Sequence, residues 1–142
     1  MCRWVTMATA CLLVAAMAAC GTSEPSAHGA KLYPVPTSSW RPGNPSLLAL
    51  TMGTLAAGTY RGKWCLWLVA RPGSRRIPIV WPAGFRARRN PLELLTSGGT
   101  VAAHGGERIK LTGGLGPVSH RPCMLGQREA FYAMGYPERM SN

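Results

Sequence analysis

From position 47 onward the chain runs as short apolar segments separated by turn residues. Residues 47–55 (LLALTMGTL) make the first segment, and a break at 57–62, around Gly58 and Gly62, follows it. Residues 64–70 (WCLWLVA) are apolar at successive positions, the pattern of a strand covered on both faces. Arg71, Pro72, Gly73 and Ser74 supply turn chemistry, Pro fixing one dihedral and Gly freeing another. Residues 75–81 then alternate, with Ile77, Ile79 and Trp81 on one face and Arg76, Pro78 and Val80 on the other. Pro78 has no amide to donate, so this strand is expected at a sheet edge or bulged there. Past the bend at 81–84, residues 85–88 point Arg86 and Arg88 outward. Residues 92–95 and 100–103 flank Thr96, Ser97, Gly98 and Gly99 as a hairpin of the longer-loop kind. Along 108–112, Ile109 and Leu111 face inward while Arg108 and Lys110 face out. Residues 129–134 (EAFYAM) fit a last strand or a single helical turn, and no segment after the leader carries a helical stripe. The pattern predicts an all-β domain, a small antiparallel, partly closed barrel of about five to six short strands.

The leader is different. Residues 5–20 (VTMATACLLVAAMAAC) form an apolar run led by Arg3 and ended by small residues, as in a secretory signal. The run falls short of the roughly 20 residues a transmembrane helix needs. Met17, Ala18, Ala19, Cys20 and Gly21 resemble the lipobox of bacterial prolipoproteins, and the resemblance implies that Cys20 is acylated and becomes the mature N-terminus. An ordinary signal peptide cut after Ala18 and a retained N-terminal helix are the alternatives. Residues 21–46 then scatter Pro25, Pro34, Pro36, Pro42 and Pro45 among Gly, Ser and Thr, a composition that cannot bury enough apolar surface to order itself. The expected organisation is a signal at 1–19, a lipidated N-terminus and Pro-rich tether at 20–46, and a β domain at 47–142. Tyr33 and Trp40 are expected to dock on that domain, with a place at a membrane interface as the alternative.

Cysteine usage agrees with export. Cys2 and Cys11 leave with the signal and Cys20 takes the lipid, so two of the five cysteines, Cys65 and Cys123, remain to pair. A metal site built from these cysteines with His104 and His120 is the alternative, but the chain has none of the close-spaced C-x-x-C or H-x-x-x-H pairs on which structural zinc draws. The formal charge is +11, from 16 Lys and Arg against 5 Asp and Glu. Arg71, Arg75, Arg76, Arg86, Arg88 and Arg89 supply a basic face, attracted to anionic lipid head groups, cell-wall polymer or an acidic envelope protein. Nucleic acid is drawn by the same field but is seldom met by an exported protein. Trp64, Trp67 and Trp81, which would have to serve as stacking platforms, sit in half-buried strands where core packing is their usual role.

Catalysis needs groups that converge, and Glu24, Glu93, Glu107, Glu129 and Glu138 are scattered along the chain. No G-x-S-x-G elbow is present. Gly113, Gly114 and Gly116 are followed by Pro117 rather than by a helix whose amides would cradle phosphate. No catalytic residue, resident metal or cofactor is therefore expected, and an envelope enzyme or metal protein using His104, His120 and Glu107 is the alternative reading. The stretches 65–68 (CLWL), 81–85 (WPAGF), 99–103 (GTVAA) and 106–111 (GERIKL), with Gly113, Gly114 and the late Cys123, resemble a set of small exported lipoproteins of high-GC, actinobacterial-type bacteria. The resemblance covers about half the chain and implies an OB-like β-barrel, but it brings no catalytic residues with it. The function expected is that of a membrane-anchored, noncatalytic binding module on the outer side of a bacterial membrane.

Overall fold

The structure, a computed structural model, describes residues 30–71, 75–118 and 121–141. The signal segment, the lipobox with Cys20, and His120 lie outside the described residues. Ten strands are present among those described: β1 Leu32–Pro34, β2 Ala49–Tyr60, β3 Lys63–Val69, β4 Arg76–Val80, β5 Arg86–Arg88, β6 Glu93–Leu95, β7 Val101–His104, β8 Arg108–Pro117, β9 Glu129–Ala133 and β10 Glu138–Arg139. The fold is all-β.

One sheet runs β10-β8-β2-β3-β4-β9, and a further β8–β9 pairing closes it. Five strands, β2, β3, β4, β9 and β8, thereby make a hydrogen-bonded ring. This ring answers to the five to six strands expected. The additional strands are the edge strand β10 and a second sheet of order β1-β5-β6-β7. Within the ring the pairings are antiparallel except β4–β9, which is parallel, with Ile79 opposite Phe131 and Val80 opposite Tyr132. That one parallel pair departs from the antiparallel expectation.

The two sheets share a single core. Leu55, Leu66, Leu68, Ile79, Trp81, Ile109, Leu111 and Phe131 from the ring side pack with Val35, Phe85, Ala87, Leu94 and Ala103 from the small sheet side. Strand β3 sits between β2 and β4, and Cys65, Leu66, Trp67 and Leu68 are all buried, as its unbroken apolar run requires. The hairpin expected at 92–103 forms β6 and β7, with the Thr96 amide donating to the Thr100 carbonyl and Gly99 at φ 84° closing the turn.

Four expectations are corrected. The break placed at 57–62 is continuous strand up to Tyr60, since β2 carries through Gly58, which pairs with Cys65. A Cβ on Gly58 would lie 2.8 Å from the Trp67 ring, so this glycine makes room for an indole and does not end a strand. Second, the alternation at 75–81 does not separate a covered face from an open one: Pro78 and Val80 are buried along with Ile79 and Trp81, and Met124 and Ala130 pack on Val80. Third, β4 is no edge strand; Pro78 is opposite Trp67 of β3, and the register with β9 begins one residue later, at Ile79. Fourth, the segment expected as tether joins the fold from Leu32 on. Tyr33 pairs with Ala87, Thr37 bridges to Trp81, and the Tyr33 ring lies 5.0 Å from that of Trp64. The docking expected of Tyr33 is met, and Trp40 folds back to donate its indole N–H to the Pro45 carbonyl at 3.1 Å.

Candidate functional site

Two pieces of chain distant in sequence are fastened together at one end of β3. The first is the β2–β3 hairpin, whose loop is only Arg61 and Gly62 between the paired Tyr60 and Lys63. A two-residue hairpin loop that matches strand twist takes positive φ at both central positions, which is why Asn-Gly is its usual sequence. Here φ is 49° at Arg61 and 75° at Gly62. An arginine in that conformation costs on the order of 1 kcal/mol and sets a guanidinium at the tip. The second piece is the β8–β9 connection, residues 118–128. Its Cys123 is bonded to Cys65, with S–S 2.06 Å and Cα–Cα 5.3 Å, so the expected disulfide is present. Disulfides persist in oxidising compartments, and this one points to an extracytoplasmic location.

Between the two pieces lies a cavity of about 320 Å³ lined by Tyr60, Arg61 and Lys63 on one wall and by Arg121, Cys123, Met124 and Leu125 on the other. Three cations and no carboxylate line it among the described residues. Arg61 lies over the Tyr60 ring at 5.4 Å, and Arg121 donates to the Thr37 carbonyl at 2.6 Å while lying 5.9 Å from the Tyr132 ring centroid. Among the described residues the non-glycine positions with positive φ are Arg61, Cys123 and Leu125, and all three line this cavity. Backbone held in that region costs free energy and persists where surrounding structure enforces it, commonly at binding sites. The connection is held by more than its disulfide. Gln127 donates to the Arg76 carbonyl at 2.7 Å, the Tyr132 hydroxyl donates to the Pro117 carbonyl at 2.7 Å, and Met124 packs against Val80 and Ala130.

The arginines singled out in the sequence are distributed over both sheets. Arg76 is in β4 and Arg75 just before it, whereas Arg86 and Arg88 are in β5 and Arg89 follows in the turn. Arg75 donates to Gln127 Oε1 at 2.7 Å, and Arg76 lies 4.7 Å over the Trp67 ring. Arg88 is tied into a row across three strands, since it pairs with Glu93, which itself pairs with His104. Its Nη1 is 2.9 Å from Glu93 Oε2, and His104 Nδ1 is 3.6 Å from Glu93 Oε1. Arg71 ends the segment after β3. Trp81 is fully enclosed and Trp67 nearly so, leaving neither as an open stacking platform.

The residues of the alternative reading are placed as follows. Glu107 Oε2 accepts the His104 amide at 2.8 Å within the β7–β8 turn and sits 3.5 Å from Arg139 Nε. That is a turn-closing role for the carboxylate. No group of three or more His, Cys, Asp or Glu placed to hold a metal occurs among the described residues.

The cavity's cations escaped the sequence pattern. Reading 57–62 as a break hid the two-residue gap at Arg61 and Gly62 between two long apolar runs, which is the signal that would have found the hairpin. Arg121 carried no such signal, because tertiary contacts, the Cys65–Cys123 bond among them, bring its segment to that hairpin. No protein-family model, no curated protein and no solved structure matches this chain.

Proposed function

We propose that this protein is a lipid-anchored, noncatalytic binding module of the bacterial envelope, and that it takes an anionic ligand in the cavity between the β2–β3 hairpin and the β8–β9 connection. The observation that carries the reading is the lining itself, with Arg61, Lys63 and Arg121 around one cavity and no carboxylate among them. In a partly enclosed site such charges are screened less than on open surface, so they discriminate by ligand charge. The ring also supports it. A five-strand ring with this closure is OB-like, and OB barrels bind oligosaccharides and oligonucleotides between the loop joining their first two strands and the loop joining their last two. Those loops correspond to the two walls of this cavity, and in an exported protein the oligosaccharide is the relevant class. An anionic cell-wall glycan or glycerol-phosphate polymer is therefore the ligand class.

Titration of the protein with a glycerol-phosphate oligomer and with a uronate oligosaccharide tests this. Binding is expected to weaken with added salt and to fall at least tenfold in Lys63→Glu, since reversing one charge in a binding patch costs on the order of 1.4 kcal/mol or more. Lys63 is the cleaner probe, because Arg121 also holds the Thr37 carbonyl. Binding that ignores both salt and Lys63→Glu would remove the cavity as the site.

The anchor has its own test. Cys20→Ser is expected to move the protein from the membrane fraction to the soluble fraction, or to stall its processing, with the thermal midpoint of the β domain unchanged. Intact mass of the parent protein should show a chain starting at Cys20 and heavier by a diacylglyceryl group. A soluble chain starting at Ala19 would make the protein secreted and leave the cavity reading untouched.

A further inference from the structure

The described surface exposes seven large hydrophobic side chains, and four of them, Leu47, Leu48, Leu50 and Met52, fall within six consecutive residues. Leu48 is 86 % exposed, Leu50 60 % and Met52 45 %. Leu50 and Met52 are alternate positions of β2 and share a face, and Leu48, the residue before the strand, extends this exposed apolar strip at the entry to β2. Leu115 is 68 % exposed and lines, with Leu50, Ile77 and Phe131, a groove of about 340 Å³ beside the strip. Basic residues border it. Met52 is opposite Lys110 and Thr54 opposite Arg108 in β8, and Arg75 stands at the groove's rim. The carboxylates nearby are Glu129 in the groove lining and Glu138, which pairs with Lys110 at 2.6 Å.

We propose that this strip is a membrane-seating surface, on which Leu48, Leu50 and Met52 enter the head-group layer of an anionic bilayer. A bilayer matches the strip in two respects. Leucines flanked by long basic side chains suit an interface where the apolar parts sink while the charged heads stay with lipid phosphates. The chain's formal charge of +11 favours an anionic surface over an uncharged one. The strand itself limits the depth. Ala49 to Gly53 are paired with β8, while the β3 register begins only at Thr54, so among the described residues no strand pairs their other backbone edge. Open backbone groups cannot enter hydrocarbon, which holds the strip at the hydrated head-group level. The seating rests on the membrane location proposed above but does not require the acyl group. A diacylglyceryl anchor already supplies two acyl chains, so the strip's part is to orient the domain on the surface rather than to retain it there.

The test places an indole in the strip. Leu50→Trp in the full chain is mixed with vesicles of phosphatidylglycerol and phosphatidylcholine carrying brominated acyl chains, with the parent protein as background. The indole at position 50 is expected to shift its emission to the blue and to be quenched. Adding Leu48→Asp and Met52→Asp should reduce quenching at least tenfold, with the thermal midpoint unchanged. An indole at position 50 that stays water-accessible on membrane-bound protein overturns the seating and leaves the anchor standing. Soluble, unlipidated protein whose indole is not quenched by added vesicles overturns both. Protection of that indole by an added extended peptide, without quenching by lipid, also overturns the proposal in favour of strand addition to the open edge.

Discussion

Cys65→Ser is expected to lower the stability of the domain by about 4 kcal/mol, Cys123→Ser by a similar amount, and the double substitution by little more than either. The bond closes a loop with a sequence separation of 58 residues, and the chain-entropy model assigns about 4 kcal/mol to a loop of that size. For a domain of this length that is a large share of a total of about 5–15 kcal/mol. The non-additivity follows from the geometry, because both cysteines act through a single bond. Denaturant titration of the four proteins under non-reducing conditions checks it. Additive losses would mean that the two cysteines do not act as one unit. The bond also ties the wall carrying Arg121 to the wall carrying Lys63. Affinity for a polyanion is therefore expected to fall in the single variants even below the temperature at which they unfold.

Gly113→Ala is expected to be the most damaging single methyl that can be added to the ring, at about 3 kcal/mol or more, the upper range for overpacking. Gly113 of β8 is opposite Ala49 of β2 and Ala133 of β9, so three strands meet there. A Cβ at this position would fall on the carbonyl oxygen of Tyr132 and within 3.0 Å of the Phe131 ring. The first of these is backbone, which cannot swing aside as a side chain can, and moving it opens the β8–β9 pairing that closes the ring. Gly98→Ala is the matched control. Its nearest neighbour is the Thr96 hydroxyl oxygen at 3.8 Å, and a change within about 0.5 kcal/mol is expected, as for surface positions generally. Thermal midpoints of the two variants measured side by side decide it; equal shifts would show that the closure of the ring contributes little to stability.

Much of the strand order was legible because a strand buried on one or both faces leaves a period of two or an unbroken apolar run. The run at 64–70 and the alternation of Ile109 and Leu111 with Arg108 and Lys110 became β3 and β8. The strand through Gly58 was illegible for the opposite reason. The glycine is required by an indole on the neighbouring strand, and nothing in its own vicinity records that neighbour. The short strand at Leu32–Pro34 was hidden in the same way, since its composition is that of a tether and its order comes from β5 and Trp64. Val80 misled for a related reason: its alternation was regular, but the β8–β9 connection covers what would otherwise be an outer face.

By itself the sequence determined the class of fold, the strands that make most of the ring, and the two cysteines left to pair, because periodicity and cysteine number are local or countable properties. It also located a net positive charge. Only the tertiary structure decided where that charge gathers around one cavity. Arg61 and Lys63 meet Arg121 because a disulfide and a closed ring hold two distant segments against each other, whereas Arg88 is drawn into a pair with Glu93. Charge adds along the chain regardless of folding, but a binding site depends on distance, and distance between residues 58 apart in sequence is set by the packing of the whole domain.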